Sequence, residues 1–456
     1  ESLARRWLGP EGPTSPLASV DAVSVPLPEC VRALLMNSMA FCHLGLERLL
    51  MSWRANLCAA LREVVVAAGK RAAKKSGNGG GAEEEGQEDV LTRQLDDAAA
   101  LACHLHFAGY CVPLRATESG DSSEVLACQE ARQALLSTKL PELSGWAGGA
   151  ALLLTAMYEN PAERLESDAE TLAFLRRRAP CCPAVAMLLD RCLKYPREEA
   201  ASVPSLELLA TAPATGPDDS TAIQSEIVSE TPCRAFYDSI AYPPWLYAVE
   251  SAGMLPSTPC QRWRRYFPWW RGSDVDESGR VPRVLIAGCG SGHQVALELR
   301  SYSGCQVVAL DVSPLSLARA KRKMRAVLTS SEFGRVRFIL GDIMDIDANS
   351  ALVGGGFDLV VCGGVLMCLK DPDAGLARLA ACMLPGGALH LATYSRYSNE
   401  SWRAPVVAYL CSAPASRHLY ESCDAPPMEA KVLREPSQAE LQAIRTEVLA
   451  LPSGHE

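Results

Sequence analysis

Two hydrophobic periods divide this chain. From about residue 28 to residue 211, apolar residues recur every three or four positions, as at Leu50, Trp53, Leu57, Leu61 and Val64, which is the spacing of one helix face. The pattern predicts helices over Pro28 to Ala68, Val90 to Gly109, Trp146 to Tyr158, Asp168 to Arg178 and Pro183 to Leu193, with another running to about Ser137 behind the capping stretch Asp121 to Glu124. From Arg283 onward the period changes to short apolar runs, each followed by glycine or a carboxylate. Val284 to Ala287 precedes Gly288, and Val307 to Leu310 precedes Asp311. Val336 to Leu340 precedes Asp342, and Phe357 to Cys362 precedes Gly363. A fifth run, Ala388 to Thr393, follows the turn Leu384 to Gly387. Short runs without strict alternation are expected of parallel strands buried on both faces. The helical patterns between them predict a doubly wound α/β sheet.

Composition sets the boundaries between these regions. Residues 1–27 are rich in Pro, Ser and Gly and are expected to be an irregular arm. Residues 70–89, a basic run followed by Ser-Gly-Asn-Gly-Gly-Gly and then by glutamates, are expected to be a flexible linker. Residues 212–232 are poor in apolar side chains and form the expected domain linker. The division is therefore a helical domain at 28–211 and an α/β domain at 233–456, the latter with an aromatic lead-in at 233–280. Ser437 and Glu440 have the capping-box spacing that starts a last helix.

Charge and cysteine usage narrow the function classes. A net charge of -9 disfavours a protein that coats nucleic acid. The basic-aromatic stretch Arg262 to Arg271 is read as a segment docking on the α/β domain rather than as a nucleic-acid site. Eighteen cysteines with no C-x-x-C pair indicate buried free thiols in a reducing, intracellular compartment, cytoplasmic or organellar. Cys103 and His106 share a helix face but lack a second ligand pair, so no metal site is expected. No stretch reaches the apolar length of a membrane span. The chain starts at Glu1, so a targeting leader would not be visible.

The candidate chemistry lies in R-V-L-I-A-G-C-G-S-G-H, where Gly288, Gly290 and Gly292 make a tight turn from strand to helix. Such a turn needs positive φ and close backbone approach. Asp311 ends the next strand at the acidic position of a ribose-binding βαβ unit. The spacing G-x-G-x-G, with Asp342 and the Leu384 to Gly387 turn, resembles the class I S-adenosylmethionine-dependent methyltransferases over about Arg283 to Ser395. The aromatic Y-x-x-x-x-Y-P-x-W element at Tyr237 to Trp245 adds to this resemblance, as does a loosely matching stretch at Leu101 to Val112. Together they are similar to bacterial methyltransferases with an N-terminal tetratricopeptide or other helical region.

The resemblance implies a Rossmann-like doubly wound methyltransferase sheet with an α-helical N-terminal domain. It implies S-adenosyl-L-methionine as cofactor. Gly288, Cys289, Gly290 and Gly292 would approach its methionine and ribose parts, and Asp311 would accept from the ribose hydroxyls. Val312, Asp342 and Ile343 would face the adenine, and Cys362 would border the methionine part. Tyr237, Tyr242 and Trp245 would cover or border the donor pocket, where aromatic rings can attract a sulfonium; packing between the two halves is the other role open to them.

Two positions depart from the family pattern. Where relatives often carry histidines after the fourth strand, this chain has Met367 and Cys368, so no catalytic base is assigned. After Tyr394 no strand pair is evident, so either the sequence is truncated or the sheet edge is completed differently. The expected function is methyl transfer to an unknown acceptor, with a protein acceptor and a partner subunit on the helical half both admitted. The alternative is a catalytically inactive, methyltransferase-like structural or assembly subunit.

Overall fold

In the computed structural model, the residues described in continuous runs are 53–61, 84–107, 169–209, 279–302, 304–346, 356–420 and 436–449; shorter pieces between them include 152–154, 160–167, 234, 237, 238, 242, 264 and 267–269. The helix expected to run to Ser137, the 212–232 linker and Trp245 lie outside the described residues. The chain forms two compact units, residues 1–195 with 399–456 and residues 196–398.

The first unit is helical. Helix α1 (Glu84–Phe107) buries Leu95, Ala98 to Cys103 and Leu105 in one apolar core. Its first turns carry Glu84, Glu85, Glu88 and Asp89, the acidic end of the expected linker. Carboxylates are favourable beside the unpaired N–H groups of a helix start, so this stretch is helix rather than tether. Helices α2 (Ala162–Ser167) and α3 (Ala169–Arg178) precede α4 (Pro183–Leu189), which has proline in its first turn. The chain then passes through a π-helical turn at Asp190–Lys194 into α5 (Tyr195–Ser202). Arg178 reaches Asp96 at 2.9 Å, and Arg191 donates to the carbonyl of Cys103 at 2.8 Å, tying α3 and the π turn to α1.

The second unit is a six-stranded parallel sheet. Its strands are β1 (Glu207–Leu208), β2 (Arg283–Ala287), β3 (Gln306–Asp311), β4 (Val336–Leu340), β5 (Phe357–Gly363) and β6 (Met383–Ala392), in the order β1-β4-β3-β2-β5-β6. All five strands expected from the apolar runs are present. Helices α6 (His293–Ser301), α7 (Pro314–Val327), α8 (Ser330–Phe333) and α9 (Pro372–Ala381) connect them. Alternate residues enter opposite cores: Val284, Ile286, Val307 and Ala309 face one layer, and Leu285, Ala287, Val308 and Leu310 the other. Burial on both faces explains why these strands read as near-continuous apolar runs.

Two features differ from the expected layout. First, β1 comes from the stretch assigned to the helical domain: Glu207 and Leu208 pair with Ile339 and Leu340. The α/β unit therefore begins near residue 196 and not at 233. Buried Glu199 accepts from Arg319 at 3.0 Å and Arg322 at 2.9 Å on α7, and these ion pairs fasten α5 in place. Second, the Leu384 to Gly387 stretch lies inside β6, where the pairing with β5 shifts register between Phe357 and Leu359. Gly387 leaves no room for a Cβ there, which would sit 2.9 Å from the carbonyl oxygen of Leu384. As read from the stretch after Tyr394, β6 is the edge strand, and among the described residues nothing pairs with its outer side.

The chain continues into α10 (Arg396–Ser412) and ends in α11 (Gln438–Leu449). The expected capping box is present before α11, with Glu440 N donating to Ser437 Oγ at 3.3 Å and Ser437 N donating to Glu440 Oε2 at 2.8 Å.

Candidate active site

The site is built at the carboxyl ends of β2, β3 and β5, where the strands turn into helices. Gly288, Gly290 and Gly292 all have positive φ, at 76°, 52° and 90°. Gly288 also answers a steric demand, because a Cβ there would lie 2.4 Å from Val365 Cγ2. Gly292 caps α6 in the left-handed region. The N–H groups of Gly288 and Cys289 both donate to the carbonyl of Leu310 at 2.9 Å, locking the turn onto β3.

Asp311 sits against this turn. Its Oδ2 accepts from Gly290 N at 2.7 Å and its Oδ1 from Ser313 N at 2.9 Å. Each carboxylate oxygen has a further lone pair, so both retain room for one more donor. Burial pushes the carboxyl up to about 6, the two backbone donors pull it down, and nearby Asp238 adds to the rise. Ser313 N-caps α7 by accepting from Ser316 N at 3.0 Å. Val312 is half-buried beside it. Asp342 ends the β4 side of the site, where its Oδ1 accepts from Met344 N at 2.9 Å.

The side chains of three expected site residues are buried in the core layers. Cys362 is fully buried with Val360 and Leu366, so its thiol belongs to the core, and burial pushes it up to about 11. Cys289 is 3% exposed in the opposite core layer, and burial with the charge of Asp311 holds its thiol well above the usual range. Ile343 is 5% exposed and packs with Leu310 and Ile339. Cys362 is turned inward by the alternation of its strand, whereas Cys289 lies in the turn after β2 and Ile343 in the 3-10 turn after β4.

Three described residues of the lead-in, Tyr237, Asp238 and Tyr242, contact this edge of the sheet. Tyr242 accepts through its carbonyl from Ser291 N at 2.8 Å, in the glycine turn itself. Ser313 Oγ donates to Asp238 Oδ1 at 2.5 Å, and Ser316 Oγ donates to the carbonyl of Tyr237 at 3.2 Å. Arg234 pairs with Asp238 at 3.6 Å, one helical turn away. The rings of Tyr237 and Tyr242 lie 6.3 Å apart, tilted by 50°. Tyr237 Oη is 4.0 Å from Cys368 Sγ.

Four residues at this edge had not been singled out. Gly364 (φ 73°) and Val365 follow β5 and close over Gly288. Their signal was the glycine pair after a strand. Tyr394 follows β6, and its charge lies close enough to Tyr242 to raise that hydroxyl, after burial. Its position just beyond a strand's carboxyl end was the available clue. Leu209 packs where a Cβ on Gly341 would be, 2.5 Å away, and no periodicity in so short a strand announced it.

Comparison with known proteins agrees with this geometry. A family model described as a methyltransferase domain matches residues 285–389. An uncharacterised protein of Synechococcus sp. is 33% identical over 37% of this chain and 38% of its own length. A ubiquinone biosynthesis O-methyltransferase of Xanthomonas axonopodis pv. citri is 36% identical over 25% of this chain and 44% of its own length. A crystal structure of an S-adenosylmethionine-dependent methyltransferase from Thiobacillus denitrificans, in complex with S-adenosyl-L-homocysteine, is 26% identical over 31% of this chain and 52% of that one, with a TM-score of 0.22. The chain thus spans about half or less of the length of these relatives. The parallel sheet, its flanking helices and the matched stretch together identify a Rossmann-like methyltransferase fold.

Proposed function

We propose that this chain is an S-adenosylmethionine-dependent methyltransferase acting on an oxygen of a small molecule. The observation that carries the reading is the pairing of a three-glycine turn with the buried carboxylate of Asp311 at adjacent strand ends. The residues fit the cofactor: a turn of three positive-φ glycines that bares backbone at the strand ends, and a carboxylate with two acceptor positions to spare for the ribose hydroxyls. When bound, the cofactor supplies an electrophilic methyl group on a sulfonium.

The chain's own residues bind and orient. Asp311 holds the ribose, while Asp342 and Val312 face the adenine end. Gly288, Gly290 and Gly364 let the backbone approach the methionine end, with Val365 bounding it. Tyr237 and Tyr242 border the same edge, where their rings exclude water and face the positive sulfonium. No histidine is needed at Met367 or Cys368 if alignment of donor and acceptor supplies the rate. An oxygen acceptor of small size is favoured over the expected protein acceptor by the likeness to the Xanthomonas O-methyltransferase.

Titration calorimetry with S-adenosylmethionine and S-adenosylhomocysteine tests the reading. Both should bind, and Asp311→Ala should weaken both by about 100-fold, since two charge-assisted hydrogen bonds are lost. Absence of binding to folded protein would overturn it. Binding without transfer of a labelled methyl group to cell extract would favour the structural-subunit alternative.

A further inference from the structure

One serine joins two carboxylates beside the glycine turn. Ser313 is fully buried at the start of α7. Its N–H donates to Asp311 Oδ1 at 2.9 Å, and its hydroxyl donates to Asp238 Oδ1 at 2.5 Å. The hydroxyl oxygen accepts from Ser316 N at 3.0 Å, so its one proton is committed to Asp238. Ser316 Oγ donates to the carbonyl of Tyr237 at 3.2 Å, which seats the residue before Asp238. The second oxygen of Asp238, Oδ2, pairs with Arg234 Nε at 3.6 Å. Asp311 is buried and Asp238 half-buried, so solvent screens the two charges from each other only weakly. The other elements around Asp311 offer it neutral donors, Gly290 N from the turn and Val312 N from the strand end. Burial keeps the Cys289 thiol protonated. At the end of β4, Gly341 N donates to the Asp311 carbonyl, and Asp342 accepts from Met344 N. Burial, then the charge of Lys323 on α7, lowers His293 at the start of α6.

We propose that Asp238 is a positioning residue for the ribose site: seated through Ser313 and balanced by Arg234, it ties the charge of Asp311 to the docking of the lead-in. Two carboxylates bridged by one serine repel when both are ionised, and a like charge disfavours the second ionisation. This repulsion adds to burial in raising Asp311, and Arg234 offsets part of it. A proton on Asp311 removes the repulsion, so the proton and the seated Asp238 favour each other by linkage. The ribose hydroxyls need the ionised carboxylate and therefore compete with that proton. Above the titration of Asp311 the seated lead-in is no hindrance, because the carboxylate is ionised before and after binding. Asp238 thus confines cofactor binding to a higher pH than Asp311 alone would. The inference rests on the methyltransferase reading for the identity of the ligand, and on the hydrogen bonds through Ser313 for the coupling.

The test follows two midpoints between about pH 4.5 and about pH 8. One is that of S-adenosylhomocysteine affinity, by calorimetry. The other is that of the Asp311 carboxyl in the unliganded protein, by carbon-13 NMR assigned with Asp311→Asn. Asp238→Asn keeps an acceptor for Ser313 and removes the charge, so both midpoints should move down by about half a unit, with about threefold tighter binding on the acid side. Ser313→Ala leaves the charge but unfastens it, and should shift both midpoints the same way. Arg234→Met removes the counter-charge and should move both up. A merely structural role would weaken binding at every pH and leave the midpoints in place. Unmoved midpoints in Asp238→Asn or Ser313→Ala, or a downward shift in Arg234→Met, would overturn the proposal. Should Asp238→Asn not fold, the direction of the Arg234→Met shift decides. If S-adenosylhomocysteine binds at no pH, the function proposed above falls, and the carboxyl titration still decides the coupling.

Discussion

Asp311 is one carboxylate with two opposed pH effects. Its folded pKa, raised to about 6, means that the native state holds its proton more tightly than the unfolded chain does. By linkage, this group adds stability to the unliganded protein as pH falls from about 6 toward about 4, and removes it as pH rises back. Ribose hydroxyls need the ionised form, so cofactor affinity should drop about tenfold per pH unit below about 6. Calorimetry and thermal melts across pH 4.5–8, with Asp311→Asn as control, check both signs. Gly288 gives a second expectation. Gly288→Ala meets Val365 at 2.4 Å and forces a side chain into positive φ, so it should cost about 1–3 kcal/mol and abolish cofactor binding. Adding Val365→Ala should restore part of the stability but not the binding, because the φ cost remains. These residues were legible in the sequence because glycine and aspartate at strand ends have a physical task. The burial of the Cys289 and Cys362 side chains was not legible, because proximity in sequence does not say which way a side chain points.

Among the described residues, the strands with a strong apolar run were read correctly, and elements set by tertiary contact were not. The five long strands have burial on both faces, which leaves an unmistakable apolar run. Strand β1 has two residues and no period; it exists because Leu340 offers a free edge, and because Glu199, held by Arg319 and Arg322, brings α5 alongside α7. Glu199→Ala removes the carboxylate that Arg319 and Arg322 share. Allowing for their partial exposure, the variant should lose about 1–3 kcal/mol, measured by denaturant unfolding, with no change in cofactor affinity. The acidic start of α1 was taken for linker because glycine-rich and glutamate-rich residues were read as one stretch. Glutamate is a good helix former and suits a helix N-terminus. In β6 the Pro-Gly-Gly stretch, read as a turn before the strand, is instead the irregular part of the strand itself.

At the scale of the molecule, the chain alternates between its two units: 1–195, then 196–398, then back with 399–456. Composition alone suggested a single handover at 212–232, because the eye follows loss of apolar residues rather than hydrogen bonds. The strand at Glu207–Leu208 and the contact of Leu209 with Gly341 have a practical consequence for anyone dividing this protein. A fragment cut at 233, where the composition invites it, discards one edge of the sheet and strips the cover from Leu340, beside the adenine end of the cradle. Such a fragment should express as aggregate, since an uncovered apolar edge strand is a template for other chains. A fragment starting at 196 keeps that edge and should stay monodisperse by size-exclusion chromatography when the rest of the chain is held the same.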